Sequence, residues 1–293
     1  MLFGAIEAGG TKFVCGIGKR NGKILERISF PTESPEITLG KTVEYFRHKH
    51  VQAIGIGTFG PIDLDKNSPK YGYITTTPKP GWSNCDFLGM LRKQYDVPFG
   101  WDTDVNAAAL GEATWGAAKG LDSCVYYTIG TGVGLGVYAE GRLVHGLVHP
   151  EGGHVWVRRH ETDTFAGVCP YHRDCLEGMA AGPAIEKRWG RKGQDLPESH
   201  PAWALEAYYI AQAVAGAILM LSPKKIILGG GVMKQQHLLP LVRLQVREIL
   251  NQYVKNDAVL ADIENYIVSP GLGDNAGLGG ALALGIQAFD ANR

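Results

Sequence analysis

The chain has 293 residues, 45% hydrophobic and 20% charged, an ordinary globular composition with room for two compact units. Its 29 lysines and arginines are balanced by 29 aspartates and glutamates; it lacks the basic surplus of a general nucleic-acid binder, and no nucleic-acid partner is expected. The longest apolar run, 213–221, is too short to cross a bilayer, so no membrane partner is expected either.

The first half opens on a strand at 2–8. Its leading segment, MLFGAIEAGGTK, has neither the basic start nor the cleavage site of a signal peptide, which makes a cytoplasmic location the default. A Gly-Gly turn leads to a second strand at 13–18, and Asn21-Gly22 marks a hairpin into a third at 23–30. A helix is predicted over 35–48, a buried strand over 51–57, a short helix over 87–95, a strand over 97–102 and a helix over 105–118. The second half begins the same way, with a strand at 123–129, a Gly-rich turn at 130–134, a strand at 135–138, a hairpin at Glu140-Gly141 and a strand at 142–145. Helices follow near 201–221 and 240–253, short strands at 226–228 and 267–268, and a last helix over 276–289. Cys15 and Cys124 fall in strand-like apolar runs and read as buried thiols, while Cys85 has no readable role. Five cysteines, an odd number, argue against a disulfide framework.

A unit of strand, glycine turn, strand, hairpin and strand thus occurs twice, about 120 residues apart. It predicts an α/β chain of two duplicated domains, 1–118 and 119–293, each with a mixed sheet, facing each other across a cleft. Two unrelated α/β domains are the alternative.

The forty glycines cluster where backbone is expected to approach a ligand. In Glu7-Ala8-Gly9-Gly10-Thr11-Lys12, glycines free the amides for an anion, Thr11 adds a hydroxyl and Lys12 a charge. A plain hairpin explains the same residues. Thr128–Gly134 repeats the chemistry with Gly130, Thr131 and Gly132, and the two loops read as two sides of one phosphate site. Neither has Walker A spacing. Gly229, Gly230, Gly231, Val232 and Met233 follow a strand, a placement suited to a nucleotide lying on flat backbone, where a side chain at Gly230 is expected to occupy nucleotide space. Gly271–Gly277 opens the last helix; both late clusters also serve as helix caps.

Asp104 stands where a strand passes into a helix, in Asp102-Thr103-Asp104. All three are good capping residues, and one is also a candidate base. Further on, Cys169, His172 and Cys175 have C-x2-H-x2-C spacing in a polar loop. A tetrahedral zinc needs a fourth ligand, and His154 is the nearest credible one, with His145, His149 and His160 as alternatives.

The segments EAGGTKF at 7–13, GTFGPIDL at 57–64, YGYITTTPKPGW at 71–82, DTDVNAAALGE at 102–112 and HPEGGH at 149–154 resemble the ROK family of sugar kinases and repressors, over essentially the whole chain. The bacterial fructokinase branch is the most similar. Glu7 and Thr103, where many members have Asp and Asn, fit that branch. The resemblance implies an actin/hexokinase-like (ribonuclease H-like) fold in which the last helix packs back on the first domain. It implies ATP-dependent transfer with Mg2+ to the 6-hydroxyl of fructose, and Asp104 as general base. Asp102 is then structural, and Asn106 is expected to orient Asp104 or hold its loop. Thr103, Asp104, Glu151, His154 and Glu177 are implied sugar contacts, with Pro183 beside the nucleotide. The family's structural zinc site, a histidine with three cysteines, has His172 in place of one cysteine here. His154 is expected to serve metal and sugar through its two ring nitrogens. A homodimer is the expected assembly. A kinase for glucose, mannose or an N-acetylhexosamine is the nearest alternative. A non-catalytic sugar sensor or a hydrolytic ATPase module would use the same scaffold without the transfer.

Overall fold

The computed structural model describes all 293 residues, Met1–Arg293. Strands β1 (Phe3–Ala8), β2 (Lys12–Gly18) and β3 (Ile24–Pro31) lead to helix α1 (Pro35–Phe46), strand β4 (Ile54–Thr58), helix α2 (Phe87–Arg92), strand β5 (Phe99–Thr103) and helix α3 (Asp104–Trp115). The second half runs β6 (Cys124–Ile129), β7 (Val133–Ala139), β8 (Arg142–Leu143), α4 (Leu176–Ala180), α5 (Gly182–Trp189), α6 (Ala202–Leu221), β9 (Ile226–Gly229) and α7 (Leu238–Leu250). The short helices α8 (Asp257–Leu260) and α9 (Ile263–Tyr266), strand β10 (Ile267–Val268) and helix α10 (Ala276–Ala291) complete it.

The two five-stranded sheets have the same order, β3-β2-β1-β4-β5 and β8-β7-β6-β9-β10. In both, the hairpin strands pair antiparallel and the others parallel. The repeat in the sequence is therefore a repeat of topology. Both glycine turns leave the end of a central strand, β1 or β6. Strand β4, Ile-Gly-Ile-Gly-Thr, is buried at every residue, as a parallel strand covered on both faces must be. One core packs Phe13, Trp82, Phe87 and Trp101 together with ring centroids 5.3–5.9 Å apart. The other is built around Val125, Ile129, Trp203, Tyr209, Val214 and Val242.

Helix α6 is 20 residues long and apolar enough to cross a membrane, longer than the uninterrupted apolar run suggested. It is a core helix: Trp203, Ala207, Ile210 and Val214 are buried, and burial pushes the carboxyl of its one acidic residue, Glu206, well above the usual range. The strand expected over 142–145 stops at Leu143, because His145 turns away to bond Asp102. Helix α7 starts at Leu238, ahead of the expected 240, with Pro240 in the first turn where its missing N–H is harmless.

Helices α3 and α10 occupy the space between the sheets. Helix α3 packs on both sheets and on α10, and α10 covers β1, β4 and β5 of the first sheet. Small residues permit the approach. A Cβ on Gly280 would overlap the Ala107 carbonyl of α3, and one on Gly55 would overlap the Ala281 carbonyl of α10. Leu278, Leu282 and Ile286 of α10 are buried in a cluster with Phe3, Ala5 and Val14, each such side chain contributing on the order of 2 kcal/mol. The Arg20–Asp290 pair at the helix end is about half exposed on both sides and, screened by water, contributes little. Apolar burial, not charge, docks this helix.

Candidate active site

Asp104 is the first residue of α3. Thr103 caps the helix by accepting the Asn106 amide at 3.1 Å, and Asp104 Oδ1 accepts the Val105 amide at 2.9 Å. Burial lifts the Asp104 carboxyl to about 6, against the two amides that lower it. A carboxylate in that range is a better proton acceptor than a free one. Its charge is felt on two sides. Burial first, and Asp104 second, raise both Glu7 and Glu151 to about 7. Glu7 closes β1 beside the first glycine turn, where Lys12 and Arg27 pull it back down. Glu151 belongs to the HPEGGH segment. Asp104 is thus electrostatically coupled to a carboxylate beside the first glycine turn and to one of the expected sugar carboxylates.

Thr103 is 4% exposed, and its hydroxyl oxygen is committed to the cap. The structure gives it a structural task at the position expected to touch sugar. Asp102 is 2% exposed. It accepts the Thr103 amide at 2.8 Å and Asn106 Nδ2 at 2.9 Å through Oδ1, with His145 Nε2 2.6 Å from Oδ2. Asn106 therefore holds Asp102, and through Oδ1 the Val137 amide of β7, rather than Asp104.

The glycine clusters meet. Gly182 donates to the Gly130 carbonyl at 2.7 Å, which sets the start of α5, with Pro183, against the Gly130–Gly132 turn. Gly231 N lies 3.6 Å from where a Gly130 Cβ would be, and Val232 and Met233 follow, both buried. Thr131 is exposed at the tip. In the first half, Gly9 donates to the Lys12 carbonyl and Thr32 to the Thr11 carbonyl, leaving Gly10, Thr11 and Lys12 exposed. Gly230 corrects its expected role. Its φ is +92°, and a Cβ there would overlap the Ile129 backbone, so substitution strains the fold. Gly231, with nothing within 4 Å of its would-be Cβ, is the open position.

His154, Cys169, His172 and Cys175 come together with all ligand atoms within 4.8 Å of one another. Cys169 Sγ is 3.7 Å from Nδ1 of both His154 and His172, and Cys175 Sγ is 3.5 Å from His154 Nδ1. A tetrahedral zinc with bonds of roughly 2.3 Å to sulfur and 2.0 Å to nitrogen has S···N edges of about 3.5 Å. The donor set and spacing fit, and His154 keeps Nε2 free. His145, His149 and His160 lie elsewhere: His145 is on Asp102, His149 against Ile62 and Glu151, and His160 on Thr162. Cys175 is also the residue before α4, and Glu177 lies in that helix's first turn. Glu177 Oε2 accepts the Val133 amide at 3.0 Å, and a Cβ on Gly132 would come within 2.7 Å of it. The metal loop is thereby tied to the phosphate turn.

Sequence reasoning missed several of these residues. Glu112, fully buried, accepts the Ala117, Gly271 and Leu272 amides and so pins the fourth glycine cluster. Lys234 and Asp274 pair at 2.9 Å beside the nucleotide loops. Gly277 of α10 leaves room for Glu7, whose Cδ would be 2.6 Å from a Cβ there. No local pattern marks any of these, because each partner comes from the other half of the chain or from a distant loop.

The sequence matches the ROK family over residues 3–288. A fructokinase of Pediococcus pentosaceus is 49% identical, covering 99% of both chains. A fructokinase of Streptococcus mutans is 46% identical, over 94% of this chain and 93% of the relative. Among solved structures, a ROK hexokinase from Thermus thermophilus superposes with a TM-score of 0.79 at 25% identity, covering 99% of this chain and 100% of that one.

Proposed function

The chain belongs to the ROK family, and from that membership we propose that it is a fructokinase, transferring the γ-phosphoryl group of ATP to the 6-hydroxyl of D-fructose. The observation that carries the reading is Asp104 at the start of α3, a partly buried carboxyl raised to about 6 and close enough to both Glu7 and Glu151 to raise them. The kinase relatives named above support it. Asp104 takes the proton of the attacking hydroxyl. Glu151, Glu177 and the free nitrogen of His154 hold sugar hydroxyls and orient the ring. Backbone amides of Gly9–Thr11 and Gly130–Gly132 with the Thr11 and Thr131 hydroxyls hold the phosphates, and Lys12 adds its charge. Pro183 and Gly229–Met233 receive the rest of the nucleotide. Bound Mg2+ supplies charge neutralisation for the phosphates, and Glu7 is the carboxylate near the first phosphate turn that suits it. Zinc at His154, Cys169, His172 and Cys175 is structural, since four protein ligands leave no open position. A cytoplasmic location is the expectation for a kinase drawing on ATP, and the family resemblance favours a homodimer.

A coupled assay of ADP release over a panel of hexoses tests this. Fructose is expected to give the highest kcat/KM. Turnover of glucose or N-acetylglucosamine without fructose would overturn the substrate and keep the kinase. ATP binding with no transfer to any hexose would favour a sensor.

A further inference from the structure

We propose that His149 is a positioning residue that sets the Glu151 carboxylate for the hexose by tying it to the Ile62 turn of the first half. This rests on the reading of Glu151 as a hexose ligand. His149 has no part in the catalytic set above, yet its side chain is only 4% exposed. Its Nε2 accepts the Ile62 amide at 3.3 Å. A ring nitrogen that accepts from an amide carries no proton, so a neutral ring must carry its proton on Nδ1. Burial lowers the His149 pKa and keeps the ring neutral. Nδ1 then carries the proton and lies 3.4 Å from Glu151 Oε1, a favourable contact of an N–H dipole with a carboxylate, with the Pro150 backbone also within its reach. The Ile62 bond therefore selects the tautomer that faces Glu151.

The anchor is firm. Ile62 is fully buried, and the Pro61 carbonyl before it accepts both the Thr75 amide at 2.8 Å and the Thr75 hydroxyl at 3.0 Å. Four residues upstream, His145 bonds Asp102 at the foot of the helix that carries Asp104. The segment 145–151 is thus fastened twice to the first half although it follows the second sheet. Glu151 itself is 48% exposed in its side chain, so the His149 contact is what orients it.

The test separates the two contacts. His149→Leu removes both and is expected to raise the hexose KM about fivefold, the scale of a half-exposed charged contact, with the ATP KM changed less than about twofold. His149→Asn keeps a donor near Nδ1 and is expected to recover most of the hexose KM. In a Glu151→Gln background His149→Leu is expected to add little, because it acts through Glu151. Additive losses, or equal rises for both substrates, would overturn the proposal. Nitrogen-15 NMR of histidine-labelled wild-type protein at neutral pH gives a readout that needs neither a variant nor activity. An Nδ1–H tautomer is expected, and an Nε2–H tautomer would overturn the anchoring bond. If the wild type phosphorylates no hexose, the fructokinase reading fails, and calorimetric hexose binding and the tautomer still decide the role of His149.

Discussion

At Asp104, burial moves the carboxyl from 3.8 to about 6, and the same shift acts on chemistry and on folding. Only the ionised form accepts a proton, so kcat/KM for the hexose is expected to fall along an acid limb centred near 6. For folding the sign is opposite. The folded state holds this proton more tightly than the unfolded chain, so stability declines as pH rises from 3.8 to about 6 and the penalty is full above that. Asp104→Asn is therefore expected to lower turnover roughly 10²-fold or more while raising the melting temperature at neutral pH, a gain that disappears in acid. Asp102→Asn should lose stability instead, since both its oxygens are engaged, and cost less turnover. Equal turnover losses in the two variants would mean that the base is elsewhere. Gly277 offers a second test at this scale. Gly277→Ala is expected to displace Glu7 and reduce kcat, whereas in a Glu7→Asp background the shorter carboxylate should tolerate the added methyl. Equal harm in both backgrounds, measured by steady-state kinetics, would refute the match between the two residues.

Helix α4 has five residues, too few to hold its own shape in water, yet it carries Glu177. Its preceding residue is Cys175, and the loop before it is drawn to the His154, Cys169 and His172 donors. Burial of Leu176, Met179 and Ala180 packs it into the core, and a metal bound at these four donors would fix its N-terminal end. One zinc per chain is expected from elemental analysis of the purified protein. His172→Ala and Cys175→Ser are expected to lose the metal and to raise the hexose KM, with a smaller rise for ATP passed through the Glu177–Val133 bond. A metal-free protein with full activity would remove the zinc from the account.

Across the whole molecule, the last helix leaves the second half and covers the sheet of the first. A fragment ending at residue 118 would expose the face formed by Phe3, Ala5 and Val14 that Leu278, Leu282 and Ile286 now bury. We expect that fragment to be unfolded or aggregated by circular dichroism and light scattering, although its sheet is complete in sequence. A cooperative melt of the isolated fragment would show that α10 is dispensable to it.

The local order of the chain was enough to read the duplicated strand pattern, and it marked the two glycine turns, the carboxylate at a strand-to-helix junction and the Cys/His spacing as candidates, because each is a short-range signal: alternation, glycine, a cap, or donors a few residues apart. Which hydroxyls and carboxylates remain free for chemistry was decided by folding. Thr103 proved to cap its helix, Gly230 to sit at a positive φ that leaves no room for a side chain, and Glu112 and His149, marked in the sequence as members of longer motifs, to act as anchors. In each case the deciding partner lies far along the chain or on a backbone conformation set by packing, and a buried polar group must find such a partner wherever the fold supplies one.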